Sequence, residues 1–265
     1  MIIKKLTVLA CSSLVSCMAF AQNDSVSITD KIVDSFLACD NQFFKQLAEN
    51  KKLFSEYVDL TTTDNVTYIP VESIYQQNKD KVNFKKPLKY HGLTITGYQN
   101  IYIPTNLSGQ YYYWGFIFDN SQEEITNTLN NLKWLKYNNA VYIANAKIYD
   151  RNTKSPVWQD NPYSIDGVVP KLGTIEKSLY LEAFTDNQNR VLCSIQGDIK
   201  KDILYKDRPD MKPLDDQMDK ERQEKIKAYK LKKQQEKEQK EAQEKQSQPQ
   251  QDKPIENSSK EGDKI

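Results

Sequence analysis

Histidine is nearly absent from this chain, which has a single one, His91, among 265 residues. A histidine-rich metal site is therefore excluded, and any histidine-based catalytic triad would have to depend on His91 alone. The sequence also lacks Gly-x-Ser-x-Gly, His-Glu-x-x-His and Cys-x-x-Cys motifs, and it has no glycine loop of the kind that holds phosphates. We therefore predict no metal and no cofactor, and we assign no catalytic residue.

A strong net charge is also lacking, because 37 lysines and arginines balance 36 aspartates and glutamates to give +1. A protein that binds nucleic acid through its overall field carries a clear excess of positive charge. Nucleic acid is therefore not an expected partner. Beyond the N-terminal segment, no apolar run approaches the ~20 residues that a membrane-spanning helix needs, so we predict no transmembrane segment in the mature chain.

The N-terminus has the pattern of a secretory signal peptide. Lys4 and Lys5 precede an uncharged apolar stretch, which ends in the small-x-small sequence Ala-Phe-Ala at 19–21. This pattern predicts removal of residues 1–21 and a mature chain that begins at Gln22. We therefore expect the protein in the periplasm or secreted medium of a bacterium.

Lipid anchoring is an alternative prediction for the same segment. The sequence Leu-Val-Ser-Cys that ends at Cys17 resembles a lipoprotein signal, in which cleavage before the cysteine leaves a lipidated N-terminus. A similar sequence ends at Cys11, but the apolar run before it is too short. A third alternative, an uncleaved anchor, is disfavoured because the apolar run falls short of ~20 residues.

Only two cysteines, Cys39 and Cys193, remain beyond the N-terminal signal. Two cysteines in an oxidising compartment, one near each end of the globular part, predict a structural disulfide bond. The alternatives are two buried free thiols or, with less support, a catalytic thiol. The latter is disfavoured because the single histidine forms no recognisable motif with either cysteine.

Composition divides the rest of the chain into three parts. Residues 22–205 hold nearly all the apolar and aromatic side chains and have the length of one globular domain. Lysine, glutamate and glutamine dominate residues 206–246, which we predict to be a linker and a charged helix that could form a coiled coil. Opposite charges four residues apart, such as Glu236 and Lys240, support that helix. Residues 247–265 have the composition of a disordered tail.

Periodicity predicts the fold class of the globular part. Apolar residues recur every three or four positions over 28–50, which is typical of helices, with a break at Asp40 and Asn41. Ser121 with a glutamate three residues on predicts a helix over 122–132. Strands are predicted at 66–69, 93–103, 110–118, 140–149, 178–184 and 190–196. The chain is therefore predicted to be α+β, with N-terminal helices packed on a mainly antiparallel sheet, then a long charged C-terminal helix and a disordered end.

Two stretches are candidate binding sites. A run of lysines before His91, which includes Lys85, Lys86 and Lys89, predicts either a patch for a polyanion or a charged surface loop that leads into a strand.

The second stretch is the densest aromatic block of the chain. In a strand, Tyr112, Trp114 and Phe116 share one face, and Tyr111 and Tyr113 lie on the other. These side chains predict either a platform that stacks on sugar rings or a central strand buried on both faces. Gly115 leaves a gap beside Tyr113, where another backbone or a ligand could approach.

Carboxylates carry the alternative functional prediction. Glycoside hydrolysis needs two carboxyl groups roughly 5–10 Å apart, and five acids surround the irregular segment 150–177: Asp150, Asp160, Asp166, Glu176 and Glu182. We therefore keep a carbohydrate-active hydrolase using carboxylates around 150–182 as the alternative. We favour a non-enzymatic exported or envelope protein that binds a macromolecule, with an inhibitor or immunity-type module as one version. Its expected partner is another protein or an envelope polymer.

Overall fold

A computed structural model describes residues 28–105 and 109–246, with side chains described as far as Glu241. The predicted signal peptide, the alternative lipid anchor at Cys17 and the predicted tail at 247–265 lie outside these residues. The chain forms two compact units, Met1–Leu214 and Asp215–Ile265. In the described ranges, every helix is too short or too polar to cross a lipid bilayer.

Three short helices open the described chain: α1 (28–36), α2 (Gln42–Glu49) and α3 (Lys51–Phe54). The predicted break between the first two is confirmed, because the backbone N–H of Gln42 donates to Oδ1 of Asp40 at 2.9 Å. This bond satisfies a donor that the first turn of α2 would leave unpaired. The apolar residues that share the three- and four-residue period are all buried: Ile32, Phe36, Phe43 and Leu47.

The predicted α+β fold is confirmed, with a large sheet whose described strand pairs are all antiparallel. Its strands are β3 (Lys81–Tyr90), β4 (Leu93–Pro104), β5 (Gln110–Phe118), β6 (Leu135–Lys136), β7 (Val141–Asp150), β8 (Trp158–Asp160), β9 (Thr174–Thr185) and β10 (Gln188–Gly197). They follow the order β3-β4-β5-β10-β9-β7-β6, and β8 pairs with β7. A separate hairpin joins β1 (Thr61–Thr63) to β2 (Val66–Tyr68). The central strands β5 and β10 therefore have a partner on each side.

Three further helices complete the fold: α4 (Gln122–Thr128), α5 (Lys201–Asp207) and α6 (Met211–Gln246). The predicted capping box of α4 is present, because Oγ of Ser121 accepts from the Glu124 N–H and the Ser121 N–H donates to the Glu124 carboxylate. The predicted charged C-terminal helix is α6. Its exposed ion pairs include Lys237 with Glu241 at 3.7 Å.

The N-terminal helices cover one face of the sheet. The ring of Phe116 in β5 makes edge contacts with Phe36 and Phe43 at centroid distances of 5.0 and 5.7 Å. The predicted disulfide between Cys39 and Cys193 is confirmed and joins the α1–α2 connection to β10. Helices and sheet therefore share one core with a covalent link across it.

The chain after β10 also contributes to this core. Leu204 and Met211 are buried in it, and Arg208 between them has no exposed surface. The compact first unit accordingly runs to Leu214. The predicted globular domain over 22–205 stays a prediction, but that range omits buried side chains of the first unit, such as Arg208 and Met211.

Candidate binding face

The face of the sheet opposite the N-terminal helices carries a second set of side chains. Alternate residues of a strand point to opposite faces, so Tyr111 and Tyr113 face away from the helices while Tyr112 and Trp114 face them. Cross-strand pairing places Gln196 beside Tyr111 and Glu176 beside Gln196. We call this the distal face, and it includes Ile101, Ile103, Tyr111, Tyr113, Ile117, Glu176, Tyr180, Glu182, Arg190 and Gln196.

The predicted aromatic platform lies on the wrong side of the sheet for a ligand. Tyr112, Trp114 and Phe116 lie in the core, with exposed fractions of 4%, 0% and 0%. The predicted gap at Gly115 is filled by another backbone rather than a ligand, because a Cβ there would lie 2.1 Å from the Val191 carbonyl oxygen. The helices determine which face is buried, and these three residues therefore serve packing.

The lysine run lies in a strand, so the predicted surface loop is wrong. Its residues occupy β3, at the edge of the sheet. Nζ of Lys85 lies 2.6 Å from the carboxylate of Asp59, and Nζ of Lys86 donates to Glu56 at 2.9 Å. The hydrogen bond and charge of Lys86 lower the pKa of Glu56. These acids partly neutralise the run, which weakens the case for a polyanion patch.

Lys89 and His91, the last two residues of this candidate site, contact other side chains of the same chain. Nζ of Lys89 donates to Oγ1 of Thr94 at 2.7 Å across the β3–β4 turn. Nε2 of His91 lies 3.3 Å from Oδ1 of Asp34, which also accepts from the hydroxyl of Tyr90 at 2.7 Å. Burial and this hydrogen bond raise the pKa of Tyr90. The cluster ties the turn to α1.

The five acids of the predicted hydrolase have separate surroundings. The carboxylate of Asp160 pairs with Lys147, and that of Glu182 pairs with Arg190 at 2.8 Å. Asp150 accepts from the backbone N–H of Asn152 at 2.8 Å. Asp166 is exposed, and Glu176 lies in a pocket of the distal face. The contacts of these five residues thus give no support to a facing acid pair.

The pocket around Glu176 has a volume of about 280 Å³. Its lining residues come from strands β5, β7, β9 and β10, from Tyr137 and from the segment 164–170. It is lined by Tyr111, Tyr137, Ile143, Ser164, Gly167, Val168, Val169, Pro170, Glu176, Tyr180 and Gln196. Three tyrosines and one carboxylate therefore meet at a site that no local motif reveals.

Burial dominates the electrostatics of this pocket. It raises the pKa of Glu176, although hydrogen bonds from the side chains of Gln196 and Asn161 act in the other direction. The Gln196 contact is long, with Nε2 at 3.5 Å from Oε2 of Glu176. Burial also raises the pKa of Tyr180. Oγ of Ser164 is buried without a hydrogen-bond partner among the described residues. The pocket therefore contains a hydroxyl group whose hydrogen bonds are not made by the described chain.

Beside the pocket, residues 157–172 expose a cluster of large apolar side chains, which we call the apolar loop. The most exposed is Leu172 at 87%. The backbone is anchored, because the N–H of Arg151 donates to the Gly173 carbonyl at 2.9 Å and Nδ2 of Asn152 donates to the Leu172 carbonyl at 3.2 Å. The exposed members are Val157, Tyr163, Ile165, Val168, Val169 and Leu172. Sequence periodicity missed this surface because the segment has no regular repeat.

The other end of the distal face is more polar. Nζ of Lys81 and the guanidinium carbon of Arg190 lie 5.0 and 5.3 Å from the centroid of the Phe184 ring. Arg190 is already bound, since it donates to Glu182 at 2.8 Å and to Gln99 at 2.7 Å. Arg190 lines a depression of about 230 Å³, which therefore has a cationic side chain that is internally paired. A second depression here, of about 440 Å³, is lined by Lys81 and Asp119.

Comparison with known proteins adds no family to this description. No family model, no curated protein and no solved structure matches the chain.

Proposed function

We propose that this chain is an exported, non-enzymatic binding protein whose partner is another protein. It contacts that partner through the apolar loop and the adjoining part of the distal face. An inhibitor or immunity-type module is one concrete form of this activity.

The observation that carries the proposal is the concentration of exposed apolar side chains in residues 157–172. Of the exposed large apolar residues in the described chain, six lie in this one segment. Scattered apolar residues are normal on a protein surface, whereas a cluster with a polar surround is typical of a protein-binding site. Hydrogen bonds to the Leu172 and Gly173 carbonyls hold one end of the loop, and backbone that is already held loses less entropy on binding.

Export rests on the N-terminal signal and is supported by the disulfide. The bond between Cys39 and Cys193 lies in the core of the first unit. Structural disulfides are common in oxidising compartments and rare in the cytosol. A periplasmic or secreted location therefore suits the chemistry of the fold.

The other candidates receive less support. Among the described residues that line the pocket around Glu176, this glutamate is the single carboxylate, whereas a glycosidase needs two. An envelope polymer of negative charge would meet lysines that already have acid partners at Asp59 and Glu56. A protein partner fits the apolar loop better than either.

Affinity capture from the envelope extract of the producing cells tests this function. The baits are the mature protein, a Val168→Ser/Leu172→Ser variant and an Ile226→Ser/Leu231→Ser variant, whose sites are exposed apolar residues of α6. We expect the first and third baits to capture the same protein and the loop variant to lose it, because loss of a central apolar contact costs about 1–3 kcal/mol. Equal capture by all three baits would refute the loop as the binding surface.

A further inference from the structure

Glu176 is a half-buried acid of the first unit whose side-chain partners are amides. Its carboxylate has amide partners, Gln196 at 3.5 Å and Asn161, and no lysine, arginine or histidine of the described residues forms an ion pair with it. None of the described residues that line its pocket is basic. A desolvated carboxylate without a cation is costly, and burial accordingly raises its pKa.

Two other acids of the first unit each have a cation as partner. Glu182, on the same strand and the same face, pairs with Arg190 at 2.8 Å. Asp207, which is also largely buried, pairs with Lys177 at 3.0 Å. Glu176 therefore lacks the counterion that these two acids have.

The walls of the pocket suit an organic cation. Tyr111, Tyr137 and Tyr180 line it, and aromatic faces attract ammonium and guanidinium groups. Val168 and Val169 of the apolar loop also line it. An aliphatic stem that carries a cation can lie on such a wall while its charged end reaches the carboxylate.

The size of the pocket indicates a small group. Sites for drug-sized molecules have volumes of roughly 300–1,000 Å³, and this one has about 280 Å³. It therefore suits one side chain better than a larger ligand.

We propose that the pocket receives the cationic end of a lysine or arginine side chain from the partner protein, with the charge at Glu176 and the stem against Val168. The identity of the occupant as part of a protein depends on the proposed function. A neutral sugar is the main competing ligand, because Gln196, Ser164 and the tyrosine hydroxyls could bind its hydroxyl groups. It would, however, leave the charge of Glu176 without a counterion.

Titration of the mature protein with small probes tests the inference without the partner. The cationic probes are the N-acetyl methylamides of lysine and arginine, and the neutral probes are N-acetyl-norleucine methylamide and N-acetylglucosamine. NMR chemical shifts of the tyrosine rings and calorimetry report binding. We expect both cations to bind at the pocket and norleucine to bind about tenfold more weakly, because a charged hydrogen bond is lost.

Matched variants locate the charge. Glu176→Gln should weaken lysine binding about tenfold, whereas Glu182→Gln, at an already paired acid of the same strand, should leave it within about twofold. The first variant should fold, since it removes a charge that burial disfavours. Its thermal melting temperature checks that it is folded. The comparison of the lysine and norleucine probes uses the unmodified protein and does not depend on any variant.

The outcomes separate the inference from the proposed function. Equal binding of lysine and norleucine, or tighter binding of N-acetylglucosamine than of either cation, would overturn the inference. If capture of the protein partner still depends on Val168 and Leu172, the proposed function stands without it. If the cationic probes need Glu176 to bind, but the loop variant still captures the partner, the pocket inference is supported and the apolar loop is not the binding surface.

Discussion

At the scale of single residues, Arg208 is the most unusual side chain of the first unit. It is fully buried, and its guanidinium carbon lies 4.1 Å from the centroid of the Trp114 ring. Its Nε and Nη2 donate to the two carboxylate oxygens of Asp210 at 2.8 and 2.7 Å, and Nη2 also donates to Asn100 at 3.1 Å. Burial acts to lower the pKa of Arg208, but Asp210 raises it above its ordinary value. The pair therefore holds the chain after α5 against the centre of the sheet.

Arg208→Met should destabilise the protein strongly. It leaves Asp210 as a buried charge without a partner, which costs about 3–5 kcal/mol. The free energy of unfolding from urea titration should fall by that amount, and Arg208→Met/Asp210→Leu should regain part of it because the lone charge is gone. Arg222→Met, at an exposed arginine of α6, is the control and should change stability by less than about 0.5 kcal/mol. Equal stability of the Arg208 and Arg222 variants would contradict this account.

At the scale of elements, the sequence predicted those strands that are apolar or aromatic runs bounded by turn residues. The bounds of β5 match the prediction at Gln110 and Phe118, because an aromatic run between turn residues has few alternatives. The β9–β10 hairpin also follows from its turn. Strand β3 was missed because a register shift between Asn83 and Leu88 breaks its alternation, and the interval holds two lysines and a proline.

The candidate site was predicted less well, for a physical reason. Alternation separated Tyr112 from Tyr111, but it does not say which face the helices cover. Glu176 was named as one of several acids, whereas Gln196 and Tyr180 were not singled out as site residues. Their proximity depends on the pairing of β9 with β10 and β5, in which Gln196 lies beside both Glu176 and Tyr111. Long-range register is not encoded in the spacing within one strand.

The disulfide connects the helical layer to the sheet, so its loss should weaken the whole first unit. Cys39 and Cys193 are separated by 154 positions, and opening a loop of that length costs about 5 kcal/mol in the chain-entropy model. A Cys39→Ala/Cys193→Ala variant should unfold at a much lower urea concentration than the wild type. Reduction of the wild type with dithiothreitol should move its midpoint in the same direction. Unchanged midpoints, or free thiols in protein isolated from the envelope, would show that the bond does not stabilise the fold.

At the scale of the whole molecule, the candidate binding surface belongs to the first unit alone. The apolar loop and the Glu176 pocket lie within Met1–Leu214, whereas most of α6 lies in the second unit. From Glu221 to Glu241 the side chains of that helix are exposed, and charged and amide side chains dominate this stretch. We therefore propose that recognition takes place at the apolar loop and the adjoining part of the distal face, and we propose no binding role for the charged helix.

Site-specific photo-crosslinking in the producing cells tests the central claim, that the apolar loop is the surface which binds a partner protein. A photoreactive amino acid replaces Val168 or Leu172 in the loop, or Lys45, an exposed residue of α2 on the other side of the sheet. The account predicts one shared crosslinked product from the two loop positions and none from position 45. Absence of any product from both loop positions, or the same product from position 45, would contradict it.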